Sequence, residues 1–286
     1  MNGMKKPITT TASAEREFVR IFQRLSQKYS SWNVWRDFVY MGSASITNAV
    51  DKRPGIWHKR ENEYLAITKH YRRDEVDAFA QLLSLTTLAL ELNPAQDFLG
   101  RLYMQFGISN HWQGQFFTPW AISDLMARIV IENDLESQLK EQGYISVSDS
   151  SCGAGCMMIA FANVCLSQGV NYQQSVLFVG QDIDPVVAKM CYIQISLLGC
   201  PGYVLIGNTI TEPSGGTTLN PFYQRPENIW FTPLYFTGAW AARRAIEKAD
   251  LLFSSGPAYI SGNDQKPRID RSFLPIRTLL KGGNDE

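Results

Sequence analysis

The stretch VSDSSCGAGCMMIAF, residues 147–161, runs from alternating β-branched and polar residues through a small-residue turn into an apolar helical pattern. Gly153 and Gly155 remove side chains where the chain turns, which permits a positive φ or a close approach by a ligand. Asp149 stands just before that turn. Two later runs repeat the layout: SVLFVGQD (175–182) ends at Asp182, and GYVLIGN (202–208) ends at Asn208. Between the three runs lie AGCMMIAFANVCLSQG (154–169) and DPVVAKMCYIQISLLGC (184–200), both of helical length and apolar on more than one side. Strands alternating with helices predict βαβ units around a parallel sheet whose strands are buried on both faces.

In such a sheet, ligands sit outside the carboxyl ends of the strands. Asp182 stands where a carboxylate can accept from both hydroxyls of a ribose, and Asn208 where an amide can reach an adenine edge. Each residue also has a plain structural reading. A glycine turn can serve helix–strand packing alone, and Asp149 and Asp184 can cap helices, with Pro185 at the first helical position behind Asp184. The combination, in this order, describes a nucleoside-shaped slot.

Upstream, the pattern is helical. Residues 13–31 place Phe18, Phe22 and Leu25 at helical spacing, 61–92 read as one or two helices, and 93–109 open on an Asn-Pro turn and continue helically. The expected division is a helical N-terminal region over 1–110 and an α/β domain over 111–286. Downstream, 209–233 read as loop, 235–250 as a helix, and LLFSSGPAY (251–259) as a strand ending in a turn.

The chain has 286 residues, 45% of them hydrophobic and 19% charged, a globular composition of zero net charge. Five cysteines form no CxxC pair and three histidines are scattered, which argues against zinc and for reduced thiols. Without an apolar leader core or a run of ~20 apolar residues, the expectation is a cytoplasmic protein with no membrane span.

Three segments together resemble the N6-adenine DNA methyltransferases, above all the modification subunit of type I restriction systems: GQFFTPWAISDLMARIV (114–130), the glycine turn, and FVGQDIDPVVAKMCYIQISLLG (178–199). The resemblance covers roughly residues 95–210. It implies a Rossmann-like S-adenosylmethionine-dependent methyltransferase sheet, DNA as partner, and a specificity or other protein subunit as a further one. By the same resemblance Phe116, Phe117, Thr118 and Pro119 contact the methionine and adenine ends of the cofactor. Asp149, Cys152, Gly153 and Gly155 form the turn beneath its methionine, Asp182 holds the ribose, and Asn208 meets the adenine. Asn208 stands where the family has Asp, and Ser150 where it has Pro.

The family's chemistry uses a fourth motif, [DNS]-P-P-[YFW], on which the flipped target base is stacked. This chain has two degraded candidates. Ser255-Gly256-Pro257, with Tyr259 one place late, follows the expected strand. Asn220-Pro221-Phe222-Tyr223 has the residue types without the strand. After Tyr259, 286 − 259 leaves 27 residues, too few for three more strands with their helices, so an incomplete sheet with an edge near LLFSS is expected. The implied function is adenine-N6 methylation of DNA. The alternative is a catalytically inactive cofactor- or DNA-binding accessory of a mobile element. A non-DNA methyl acceptor and a dinucleotide cofactor fit less well, since the FFTP segment opposes the first and the missing GxGxxG the second.

Overall fold

The computed structural model describes residues 8–108, 117–131 and 135–254. Five helices come first: α1 (Thr11–Ser26), α2 (Ser31–Val50), α3 (Ile56–Thr68), α4 (Arg73–Leu92) and α5 (Phe98–Gln105). The Thr10 side chain accepts from Ser13 N–H while the Ser13 hydroxyl oxygen accepts from Thr10 N–H, which starts α1 and points Phe18, Ile21, Phe22 and Leu25 inward. Its Phe18 ring packs edge-on against Trp35, Phe38 and Phe98, tying α1 to α2 and α5. The long α2, not among the expected helices, buries Val34, Trp35, Phe38, Val39 and Met41.

After α6 (Trp120–Ile131) and α7 (Leu135–Gln142), strand and helix alternate: β1 (Ile145–Asp149), α8 (Cys156–Ser167), the short α9 (Tyr172–Ser175), β2 (Val176–Asp182), α10 (Pro185–Leu197) and β3 (Gly202–Ile206). β1, β2 and β3 pair in parallel in that order, with Asp149 opposite Gly180 and Asp182 opposite Ile206. Beyond them come a two-residue pair, β4 (Gly215–Gly216) with β5 (Pro221–Phe222), then β6 (Ile229–Phe231) and α11 (Gly238–Ser254). β6 joins the sheet antiparallel to β3. The fold is α/β with a mostly parallel sheet and a helical N-terminal region.

Strand side chains alternate between two cores. Val176 and Phe178 face a large core shared with α1, α2, α4, α5, α8 and α10, while Leu177 and Val179 face a smaller one with Tyr203, Phe231, Tyr235 and Trp240. Both faces of β2 are therefore covered, as its continuous apolar run predicts. No helix among the described residues is long and apolar enough to cross a membrane.

Two expectations need correction. Residues 229–231, read as loop, form β6: three residues are too few to show an alternation, and the strand exists because it satisfies the open edge of β3. The run beginning LLFSS, expected as a strand, is helical instead: Leu251–Ser254 continue α11. From Ala239 onward no Pro or Gly interrupts the helix formers AWAARRAIEKADLL, so local propensity extends the helix. Among the described residues the sheet edges are β1 and β6, not LLFSS.

Candidate functional site

At the carboxyl edge of the sheet, three strand ends are fastened to one another. Gly153 N–H donates to Asp182 Oδ2 at 2.9 Å, linking the glycine turn after β1 to the end of β2. Gly207 N–H donates to the Asp182 carbonyl at 2.9 Å, and the Thr209 hydroxyl donates to the Ser150 carbonyl at 2.7 Å, linking the loop after β3 to both. Cys152 N–H completes the set by donating to the Gln181 carbonyl at 2.9 Å.

The turn needs its glycines. Gly153 and Gly155 adopt φ of +55° and +95°, a region that disfavours other residues. A Cβ on Gly155 would also lie 2.9 Å from the Cys191 sulfur of α10. Gly180, not singled out from the sequence, is equally constrained: a Cβ there would meet Met158 Cε at 2.7 Å and the Cys152 sulfur at 3.2 Å. Its signal was a glycine inside an otherwise bulky apolar strand. Cys152 fills this space as a packed thiol; its hydrogen bond with Cys191 and then burial push its pKa well up, so it is no nucleophile.

Phe117 closes over the turn. Its Cδ1 stands 3.4 Å from where a Gly153 Cβ would be, and its ring stacks on Tyr103 with centroids 5.7 Å apart at 25°. Thr118 and Pro119 are exposed, and the Pro119 carbonyl accepts from Ile122 and Ser123 to open α6. Phe116 lies outside the described residues, as do Ser255, Gly256, Pro257 and Tyr259.

Asp182 is half-buried. Burial pushes its carboxyl pKa up, opposed by the N–H groups of Asp184, Gly153 and Ile183. Three N–H bonds leave a carboxylate, with about four acceptor positions, room for a further donor. Asp149 Oδ1 accepts from Ser151 N–H at 3.1 Å and so shapes its own turn. Asp184 caps α10 through Val186 and Val187 N–H, the structural reading of that residue. Asn208 also turns its chain: its Oδ1 accepts from Ile210 N–H at 2.9 Å and Thr211 N–H at 3.3 Å. Beside these polar groups stand two apolar side chains. Ile183 is 67% exposed and Ile210 is 90% exposed, both in the loops that follow β2 and β3. Their signal was an aliphatic residue among polar loop residues, where nothing requires one.

Asn220-Pro221-Phe222-Tyr223 is a different kind of place. Asn220 Nδ2 donates to Glu247 Oε2 of α11 at 2.6 Å and to the Arg244 carbonyl at 3.3 Å. The Tyr223 hydroxyl donates to Glu212 Oε2 at 3.1 Å, and Glu212 also pairs with Arg225. Only Phe222, 65% exposed, projects freely. Among the described residues no cluster of His, Cys, Asp and Glu could hold a metal ion.

Two solved structures resemble the chain at 14% identity. One is a putative class I S-adenosylmethionine-dependent methyltransferase from Listeria monocytogenes, with a TM-score of 0.37 over 82% of this chain and 69% of that one. The other is the methyltransferase subunit of a type I restriction-modification system from Streptococcus thermophilus, with a TM-score of 0.40 over 73% of this chain and 61% of that one. No curated protein sequence matches the chain. Residues 95–256, more than half of the chain and the whole of the fastened strand ends, match N-6 DNA Methylase. The chain belongs to the N-6 DNA methylase family.

Proposed function

We propose that the chain binds S-adenosylmethionine across the ends of β1, β2 and β3 and methylates N6 of adenine in DNA, in the cytoplasm and with a specificity or other protein subunit choosing the sequence. Residues 1–110 would serve as helical support and 111–286 as the catalytic part. The observation that carries this reading is the Asp182 carboxylate, held against the glycine turn by Gly153 N–H with acceptor capacity to spare.

The residues present fit such a molecule. Gly153 and Gly155 leave backbone bare for its amino-acid end, Asp182 can take a ribose hydroxyl, and exposed Ile183 and Ile210 offer apolar surface to a flat base. Because the two turn bonds occupy Asn208 Oδ1, its amide nitrogen is the group left to address that base. Phe117 over the turn would shield the bound end from water. Once bound, the cofactor supplies an electrophilic methyl on sulfur; the protein's part is to fix the acceptor amine in line with it.

A specific observation favours a second reading, a cofactor-binding accessory without turnover. The Asn220 amide and the Tyr223 hydroxyl are committed to Glu247 and Glu212, so neither is poised for a target base. One experiment separates the two. The full chain is incubated with S-adenosylmethionine tritiated in the methyl group and unmethylated DNA, and the digest is analysed for N6-methyladenine. Label there supports the enzyme. No label from a protein that binds the cofactor in calorimetry supports the accessory.

A further inference from the structure

Asn208 lies just past the end of β3, in a loop that is anchored from below and from both sides. Gln181 of β2, only 5% exposed, donates through Nε2 to the carbonyls of Gly207 and Glu212, at 3.2 Å each. Glu212 N–H in turn donates to the Asn208 carbonyl at 2.7 Å. The backbone that carries the Asn208 side chain is therefore fixed at both ends of the loop.

The polarity of that side chain is fixed as well. Its Oδ1 accepts from Ile210 N–H and Thr211 N–H. Turning the amide over would set its own hydrogens against two N–H donors, so Oδ1 must face the turn and Nδ2 must face away. Among the described residues nothing accepts from Nδ2, and this nitrogen is not sealed from solvent. At the neighbouring strand end the Asp182 carboxylate can only accept; Asn208 can only donate.

On the reading that S-adenosylmethionine lies across these strand ends, we propose that Asn208 recognises the cofactor's purine through a ring nitrogen and not through its exocyclic amine. Adenine offers both kinds of group on its edges: ring nitrogens accept, whereas the 6-amine donates. Nδ2 turned towards the amine would leave two donors facing each other, each stripped of water without a partner. Turned towards a ring nitrogen, it makes a hydrogen bond. Exposed Ile183 and Ile210 supply apolar surface for the faces of the base, which leaves its edge to Asn208. The site should then tolerate loss of the amine and depend on one ring nitrogen.

The test is calorimetry of the full chain with S-adenosylhomocysteine, which has no methyl group to transfer, and with two kinds of analogue. One carries hydrogen in place of the 6-amine; the others replace N1, N3 or N7 by C–H, one at a time. The unaltered chain should bind the parent and the deamino compound within about fivefold of each other, and one ring-carbon compound at least about fivefold more weakly than the parent, the size of one lost neutral hydrogen bond. Asn208→Asp still accepts from both turn N–H groups but has no donor. It should prefer the parent to the deamino compound by at least about fivefold and lose the dependence on the ring nitrogen.

Three results would each overturn the proposal: a larger preference of the unaltered chain for the parent over the deamino compound, indifference to all three ring replacements, or unchanged ratios in Asn208→Asp. Should that variant fail to fold, the compound series on the unaltered chain still decides. Binding of none of the compounds would remove the cofactor reading together with this inference, whereas binding of the parent with the wrong preferences would remove this inference alone.

Discussion

At the ends of β1, β2 and β3 main-chain N–H groups make the site, whereas between Glu212 and Ser254 side chains make the fold. The first region is held by Gly153 N–H, Gly207 N–H and Cys152 N–H; the Asp182 carboxylate that takes Gly153 N–H keeps room for a further donor, and Ile183 and Ile210 are exposed. The second is held by Asn220, Thr217 and Glu247 gripping one another, and by the Tyr223–Glu212–Arg225 group. A residue spent on structure is lost to chemistry. The contrast separates a site built to receive something from a segment that carries the residue types of a catalytic motif while using them internally.

The strongest way to break the first region is through its backbone. Gly155→Val places a branched side chain at φ +95° and against the Cys191 sulfur. It should lower stability by about 3 kcal/mol or more, read from the urea midpoint, with the melt remaining cooperative. A loss under 1 kcal/mol would mean the turn is not as constrained as its contacts imply.

The next expected effect concerns α10, which packs beneath that turn. Burial pushes the pKa of its Lys189 down to about 7. Between about 7 and the ordinary value of 10.5 the folded chain binds fewer protons than the unfolded one. Its contribution to stability therefore rises with pH across that window, by up to about 1.4 kcal/mol per unit, and is smallest below it. Lys189→Met should flatten the pH dependence there, measured as denaturation free energy at pH 6, 7.5 and 9; an unchanged slope would place the amine in water.

A smaller loss is expected in the second region. Asn220→Ala removes the bond to Glu247 and should cost about 1–2 kcal/mol in stability while leaving cofactor affinity unchanged. A fall in affinity from this substitution would erase the contrast, since Asn220 would then belong to the site.

How far all this could be read in the sequence follows from the same contrast. β2 and β3 were legible because Val176–Val179 and Tyr203–Ile206 are buried on both faces and so are apolar without a break, while β1, at the sheet edge, showed instead as the alternation of Ile145 and Val147 with serines. Gly153, Gly155 and Asp182 were legible because a bare turn and a terminal carboxylate have few structural substitutes. Gly180, Ile183 and Ile210 were passed over, since their meaning lies in what stands beside them in space. β6 was hidden by its brevity, and α11 overran the expected strand because local propensity there favours helix. The cavity lined by Tyr40, Arg60, Lys189 and Trp230 could not be foreseen: these residues are far apart in the chain and meet only when the N-terminal helices dock on the sheet.

The central claim is that Asp182 and the glycine turn receive S-adenosylmethionine. Calorimetry of that compound with the unaltered chain and with Asp182→Ala tests it most directly. The account predicts one site per chain and an affinity about 10- to 100-fold weaker in the variant, the size of lost hydrogen bonds to a charged group. Equal affinity in two equally folded proteins would contradict it.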